Sequence, residues 1–568
     1  MKKSVLNLKF YIISPILILF IGILHAQTIP VGTPVLDDYL RRAQLMGMVD
    51  STSSFMIRPL YPTSVFGLEH GFDLDGSLVD LDKSKLHGRF GLNNKGKFVV
   101  LPVSYRFQYN SEYAHGGNDG SFIPNRGVQS SLTGGFFATK GKFSLQLQPE
   151  ILAAQNKDYI GFPIEQQSTI LFYYDYMNRI DMPERFGNGS FNQILLGQSS
   201  LRFNHKEISV GISNENLWWG PSKRNSLLMS NNAPGFLHFT ANTLKPIQTK
   251  LGSFEAQLIS GFLKASEFLP PQSGYIIQEN PVYIPKRKNG NRYLAGLVFT
   301  YQPKWVPGLF LGYGSTSQMY RDEMASFGDY LPVFNGRKGS QDVVDPIRDK
   351  RQQLSSGFFR WLNVNGNFEF YGEYGTNENS RTLKNFIVQP ESGRGFTFGF
   401  SYLMDLKKEE NYLEVSSEMT QTGQTLRDDI RSLTTWYIHD HVRHGYTHKG
   451  QVLGMGTGPA SNTLFLEFAW VHKKMNRIGI QGERIAYNND FYYYRFEQVK
   501  DIRNRYVDLI PSVIADWKFG DLLVSAKFQY VSTLNYKWYL ENSPDQYFIP
   551  GYDRTNFVGQ VGLTYLLR

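Results

Sequence analysis

From Lys97 to the C-terminus the chain repeats one pattern: apolar and polar residues alternate over a short stretch, a connection follows, and the alternation resumes. A period of two is the mark of a strand whose two faces meet different surroundings. Val103, Tyr105, Phe107 and Tyr109 share one face, while Ser104, Arg106 and Gln108 share the other. Phe143, Leu145 and Leu147 alternate with Ser144, Gln146 and Gln148. Phe396, Phe398, Phe400, Tyr402 and Met404 fall together, as do Val561, Leu563, Tyr565 and Leu567 near the end. Leu413, Val415 and Met419 alternate with Glu414, Ser416, Glu418 and Thr420. The apolar faces carry Phe, Tyr, Leu and Val without charge, which suits lipid and not water. A strand in lipid needs every backbone group paired, and a closed barrel achieves this.

The connections give the topology. Short turns fall at 140–141, 204–206, 244–251, 303–307, 363–367, 405–411, 473–475 and 518–521. Long loops fall at 111–126, 155–192, 215–235, 265–291, 318–352, 377–393, 422–461, 488–504 and 535–555. Short and long alternate throughout when Ile170–Tyr174, strand-like in composition, is placed inside the second long loop. Outer-membrane barrels have short periplasmic turns and long external loops, so the pattern predicts about eighteen antiparallel strands with both ends in the periplasm. The expected fold class is all-β: an outer-membrane transmembrane antiparallel β-barrel with a small N-terminal helical periplasmic segment. The 34 Tyr, 42 Phe and 53 Gly suit such a chain. The C-terminal Tyr565-Leu566-Leu567-Arg568 departs from the terminal aromatic residue usual in barrel insertion signals.

Residues 1–26 read as a cleaved secretory signal: Lys2, Lys3 and Lys9 precede the apolar run Phe10–Leu24, and Ala26 precedes Gln27. Its removal lowers the formal charge of +9 to about +6. No later run is long and apolar enough for a membrane helix. Residues 27–96 are expected in the periplasm below the barrel, and 97–568 form the barrel. Within 27–96, Thr33–Met46 predicts one helix, with Thr33 as N-cap, Pro34 in the first position and Gly47 at C′. Leu36, Tyr39, Leu40, Ala43 and Met46 form its apolar face, and Asp37 and Asp38 precede Arg41 and Arg42 by four residues. With no cysteine there is no disulfide framework and no thiolate metal site. The basic excess is modest and spread out, and an exported protein meets no nucleic acid.

Asn214–Gly235, NENLWWGPSKRNSLLMSNNAPG, lies in the third long loop. Its WWGP run and the following SLLMSNNAPG resemble the Wzi capsule assembly family, in its Bacteroidetes-type branch; GYTHKGQ and GPASN later in the chain point the same way. That resemblance implies an eighteen-stranded outer-membrane barrel with a small helical periplasmic part. It also implies a lectin-like role, holding capsular or other surface polysaccharide, with outer-membrane lipid and the barrel-insertion machinery as further partners.

Sugar rings present C–H faces to aromatic residues, and amides and cations bind their hydroxyls and carboxylates. Trp218, Trp219, Lys223, Arg224, Asn231 and Asn232 are therefore the candidate glycan surface. The competing reading is structural: the tryptophans wedge the loop inward or sit in the interfacial aromatic belt. A second stretch, Trp436–Asn462, holds His439, His441, His444 and His448. It reads as a polar loop folded into the barrel mouth, with pH sensitivity open because histidine titrates near neutrality. An H-x-H pair alone lacks the wider ligand spacing of a metal site, so no metal and no cofactor is expected. GMGTG at 454–458 is followed by Pro459 instead of a helix, so it is no dinucleotide fingerprint. No P-loop, HExxH or GxSxG occurs, and the expectation is not an enzyme. Two other functions stay open: a porin-like diffusion channel, which an inward plug of loops would disfavour, and a barrel enzyme.

Overall fold

The computed structural model describes residues 27–61, 86–162, 167–270, 273–277, 279–330, 350–377, 387, 393–407, 410–423, 435–473, 475–496, 505–539 and 553–567. The segment expected to be a signal lies outside them. Eighteen antiparallel strands form a closed barrel. Closure joins the last strand, Arg554–Tyr565, to the first, Gly96–Asn110, in register from Val558–Asn110 to Tyr565–Val103. The third strand is interrupted, as Phe143–Leu147 and Glu150–Ala154, and so is its neighbour, as Phe191–Leu195 and Ser200–His205. Among the described residues no helix is long and apolar enough to cross a membrane.

The expected alternation of turns and loops holds around the barrel. Ile170–Tyr174 belongs to the second long loop as placed, yet it forms part of a helix, Gln167–Met177, here called α2. Its composition is aromatic and β-branched, but it has no strand partner there, and helical pairing satisfies its backbone locally.

Burial is inverted relative to a water-soluble protein. Phe398 and Met419 are 41% and 43% exposed, while Glu418 on the same sheet is 2% exposed. Outward side chains are apolar and exposed, and inward polar ones meet protein. The lumen is filled, because the third and seventh long loops fold into it and the N-terminal helix enters from the short-turn end. Part of the wall turns apolar to receive them: Ile259, Leu294, Val298 and Leu354 point inward and join one core with Trp219, Leu227, Leu228, Trp436 and Tyr437.

The N-terminal helix, α1, spans Leu36–Leu45. Gly47 stands at C′ with φ +71°, and Met48 N–H bonds Ala43 O while Gly47 N–H bonds Gln44 O, a Schellman closure. The expected N-terminus is corrected. Val35 occupies the N-cap position without a side-chain cap, and the Thr33 hydroxyl bonds Pro30 O instead. The placement of this segment below the barrel is corrected too. The apolar face, Leu36, Tyr39, Leu40 and Ala43, packs on Met475, Leu523 and Leu566 near the short turns. The polar face reaches across the lumen, so the expected pairs within the helix give way to pairs with the wall. Arg41 bonds Glu369 at 2.8 Å, Arg42 lies 3.5 Å from Glu414, and Asp38 bonds Arg477 at 2.7 Å. In water such i,i+4 pairs are weak. In a closed lumen the wall carboxylates need a counter-ion and outbid the helix's own. One more piece of the 27–96 segment joins the wall, since His87–Phe90 pairs with the foot of the first strand.

Candidate functional site

The third long loop enters the barrel as a wedge. Trp218–Trp219 pairs antiparallel with Ile57–Arg58, and Gly220 N–H bonds Met56 O at 2.9 Å. Trp219 is fully buried, and its indole N–H donates to Gln257 Oε1 at 2.8 Å. The wall makes room for it: a Cβ on Gly296 would lie 2.7 Å from Trp219 Cη2. Trp218 is 4% exposed under the Arg58 guanidinium, 4.6 Å from its ring. Lys223 Nζ pairs with Glu414 at 3.2 Å. The backbone N–H groups of Lys223, Arg224 and Asn225 all donate to the Glu418 carboxylate, and the Tyr371 hydroxyl adds a fourth bond at 2.8 Å. Arg224 bonds Glu483 at 2.6 Å and lies over Phe465. Asn231 accepts from Asn216 Nδ2 and donates to Asn118 O. Asn232 donates to Val452 O at 2.9 Å. As an outward glycan surface this set is withdrawn, because its side chains are buried or bonded inside the barrel. Asn232 alone of the six borders the external cavity described below.

The histidine-bearing loop lies on top of the wedge. Trp436 fills a second socket, with Cβ atoms on Gly375 and Gly395 each 2.8 Å from its ring. The Tyr437 hydroxyl donates to Leu227 O, and Ser230 N–H bonds Leu453 O. The four histidines do not converge. His439 Nδ1 accepts from Val442 N–H, His444 Nδ1 lies 2.9 Å from the Tyr320 hydroxyl, His448 Nδ1 accepts from Lys264 N–H, and His441 meets Glu323. Burial pulls His439 down to about 4, and burial with Arg292 and Lys286 nearby pulls His444 down to about 2. Burial, with Lys449 nearby, also holds His448 well below its ordinary value. These three rings are neutral near pH 7. Among the described residues no group of three His, Cys, Asp or Glu is placed to hold a metal ion.

The long loops together build a cavity of about 240 Å³ at their end of the barrel. Its aromatic lining comes mainly from three loops, Tyr159, Tyr173 and Tyr176 from the second, Tyr487 and Tyr506 from the eighth, Tyr536 and Trp538 from the ninth, with Phe122 from the first. Helix α2 meets the helix Asn489–Phe496 (α3) through an edge contact of Tyr173 with Phe491, which fixes the second loop against the eighth. Tyr536–Trp538 is a tight turn with Lys537 and Trp538 at positive φ, and it sets both rings against Tyr506, at 5.8 and 5.4 Å. Glu184 anchors the floor. It accepts from Lys537 Nζ at 2.7 Å, the Tyr173 hydroxyl at 2.8 Å and Phe162 N–H. Burial alone would raise its carboxyl, but the Lys537 ammonium outweighs burial and holds it below the usual range. Gln108, His115, Gln451, Ser461 and Asn488 add polar lining. The buried Trp538 indole N–H has no partner among the described residues. Such a surface offers flat apolar faces beside donors and acceptors, which is what a sugar ring requires.

Sequence reasoning passed over these residues. Aromatic density was their one signal, in Phe172–Tyr176, in Phe491–Tyr494 and around Tyr536–Trp538. The three stretches lie far apart in the chain, and each alone resembles the aromatic belt of any barrel.

No curated protein matches the sequence. Among solved structures, the chain is similar to Wzi of Escherichia coli, described as an outer-membrane, carbohydrate-binding β-barrel involved in group 1 capsule assembly. The TM-score is 0.57 at 12% identity, covering 95% of this chain and 99% of that one. OccK1 of Pseudomonas aeruginosa (8% identity, TM-score 0.38, 84% and 99% covered) and an anion-selective porin of Comamonas acidovorans (10%, 0.30, 83% and 99%) are more distant and carry no argument. The E. coli likeness establishes the fold. A family model described as capsule assembly protein Wzi matches residues 109–535, and the chain belongs to that family of outer-membrane barrels.

Proposed function

We propose that this barrel holds surface polysaccharide in the aromatic cavity formed by its long external loops. The observation that carries the reading is the Tyr506, Tyr536 and Trp538 wall beside a bonded Glu184–Lys537 pair and an unpaired indole N–H. Family membership and the carbohydrate-binding description of the E. coli relative support the same ligand class. The filled lumen weighs against a diffusion channel. The cavity serves binding and not catalysis, since its best-placed carboxylate, Glu184, is neutralised by Lys537. The rest of the sequence reading belongs here: residues 1–26 are removed on export, and the insertion machinery places the barrel in outer-membrane lipid.

The test is binding of the detergent-purified barrel to polysaccharide extracted from its own source organism. Tyr506→Ala and Trp538→Ala should each weaken binding while the barrel still migrates as a folded species. Undiminished binding by both variants would remove the cavity from the reading. No binding by the folded wild type would return weight to the channel, with bilayer conductance as the next measurement.

A further inference from the structure

A second cavity, of about 300 Å³, lies between the plug and the wall. On the plug side stand Arg41, Arg58, Trp218 and Arg224; on the wall side stand Lys527 and Gln560. Its lining meets that of the external cavity only at Asp119 and Phe122.

Most of its charges are matched. Arg41 bonds Glu369, Arg224 bonds Glu483, and Arg477 holds Asp38, Glu467 and Asp516. Asp37 accepts from Gly32 N–H and faces Arg58, and Asp119 accepts from Gly117 N–H and Gln108. Lys527 differs. It points inward from the strand Leu522–Leu534 and makes no hydrogen bond or ion pair among the described residues. On the opposite side three donors lack acceptors: Trp218 Nε1, Arg41 Nη2 and Arg58 Nε. Trp218 and Arg41 are 4% and 5% exposed, so bulk water does not satisfy them. Uncompensated buried donors cost free energy, and these three belong to residues that line one cavity. Water would supply acceptors but leave Lys527, which has Glu483, Asp119 and Glu467 nearby, in direct contact with none of them. An occupant with several acceptor oxygens and a negative charge gives Lys527 a counter-ion and brings acceptors to the plug side, and charge-assisted bonds are the strong ones.

We infer that this cavity is a second binding site, taking an oxyanion between Lys527 of the wall and the unpaired donors of the plug. The shared chemistry is a carboxylate or phosphate group, brought either by an acidic sugar or by free inorganic phosphate. The site is distinct from the aromatic cavity and does not depend on it.

The experiment is calorimetric titration of the detergent-purified full chain at low ionic strength with glucuronate, with inorganic phosphate and with glucose. Saturable one-site binding of at least one anion, with no binding of glucose, is expected. Lys527→Gln should weaken it about tenfold, Lys527→Arg should retain it, and about 0.5 M salt should abolish most of it. Gln560→Glu, which sets a carboxylate on the same wall, should weaken it independently if Lys527→Gln does not assemble. Binding of glucuronate alone identifies an acidic sugar as the source, phosphate alone identifies the free ion, and both support a general oxyanion site. Absence of anion binding, equal binding of glucose, or indifference to both Lys527→Gln and Gln560→Glu would overturn the inference. Because the aromatic cavity is untouched, polysaccharide binding through Trp538 can fail or succeed separately.

Discussion

Two loops of this barrel carry a tryptophan beside a lysine, and they have opposite fates. In the third long loop, Trp219 is sealed against Gly296, and Lys223 is tied to Glu414 of the wall. In the ninth, Trp538 borders an open cavity with its indole N–H unpaired, and Lys537 is tied to Glu184 of another loop. The residue types are the same, and the partners decide the role. Where the wall supplies glycine sockets and carboxylates, the loop is drawn inward and holds the fold. Where the partners are other loops, the aromatic rings pack against one another and border a cavity instead of filling a socket in the wall.

The comparison breaks most visibly at the wedge. Trp219→Ala should cost about 3–5 kcal/mol, as large buried truncations do. Gly296→Leu should do comparable damage from the wall side, because the socket no longer exists. The readout is the fraction of heat-modifiable, folded barrel recovered from membranes. Full recovery of both variants would mean that the wedge is dispensable. Glu418→Ala comes next. It strips the acceptor from three consecutive backbone N–H groups and from Tyr371, a loss of about 3 kcal/mol on the scale of broken buried charge networks. Protease cleavage within 218–235 should rise relative to wild type.

On the other side of the comparison, Trp538→Ala should cost less stability than Trp219→Ala, because its ring borders a cavity, and should lower polysaccharide affinity by roughly tenfold, about 1.4 kcal/mol. A stability loss as large as that of Trp219→Ala would erase the distinction between the two loops. The smallest effect is expected from acid. The pKa values of His439 and His444 lie below that of a free histidine, so the fold binds their neutral form. That contribution is complete above pH 6.5 or so and declines as pH falls toward about 4. Protease sensitivity of residues 436–461 should therefore increase between pH 7 and pH 5. Equal sensitivity at both values would show that these rings are not buried neutral in solution.

Much of the architecture was legible in one dimension. A strand with two unlike surroundings must alternate, and Phe143, Leu145 and Leu147 against Ser144, Gln146 and Gln148 do so. Turn length then supplied topology. The candidate site was less legible. Trp218, Trp219, Lys223 and Arg224 looked like ligand contacts because aromatic and cationic residues in a loop suit a sugar. The same residues suit a buried wedge once Gly296, Glu414 and Glu483 are across from them, and those partners lie between 70 and 270 residues away. The α1 acids and bases misled in a similar way, since a local i,i+4 pairing is visible in sequence and a wall carboxylate is not.

What the sequence alone determined was the barrel: its strand count and its apolar outer face, because these follow from a period of two and from connection lengths, both properties of neighbouring residues. Only the tertiary structure decided that α1 and two long loops fill the lumen, and that aromatic residues from the second, eighth and ninth loops meet in one cavity. Those outcomes rest on contacts between segments hundreds of residues apart, where a partner's shape and charge, and not the local pattern, selects the conformation.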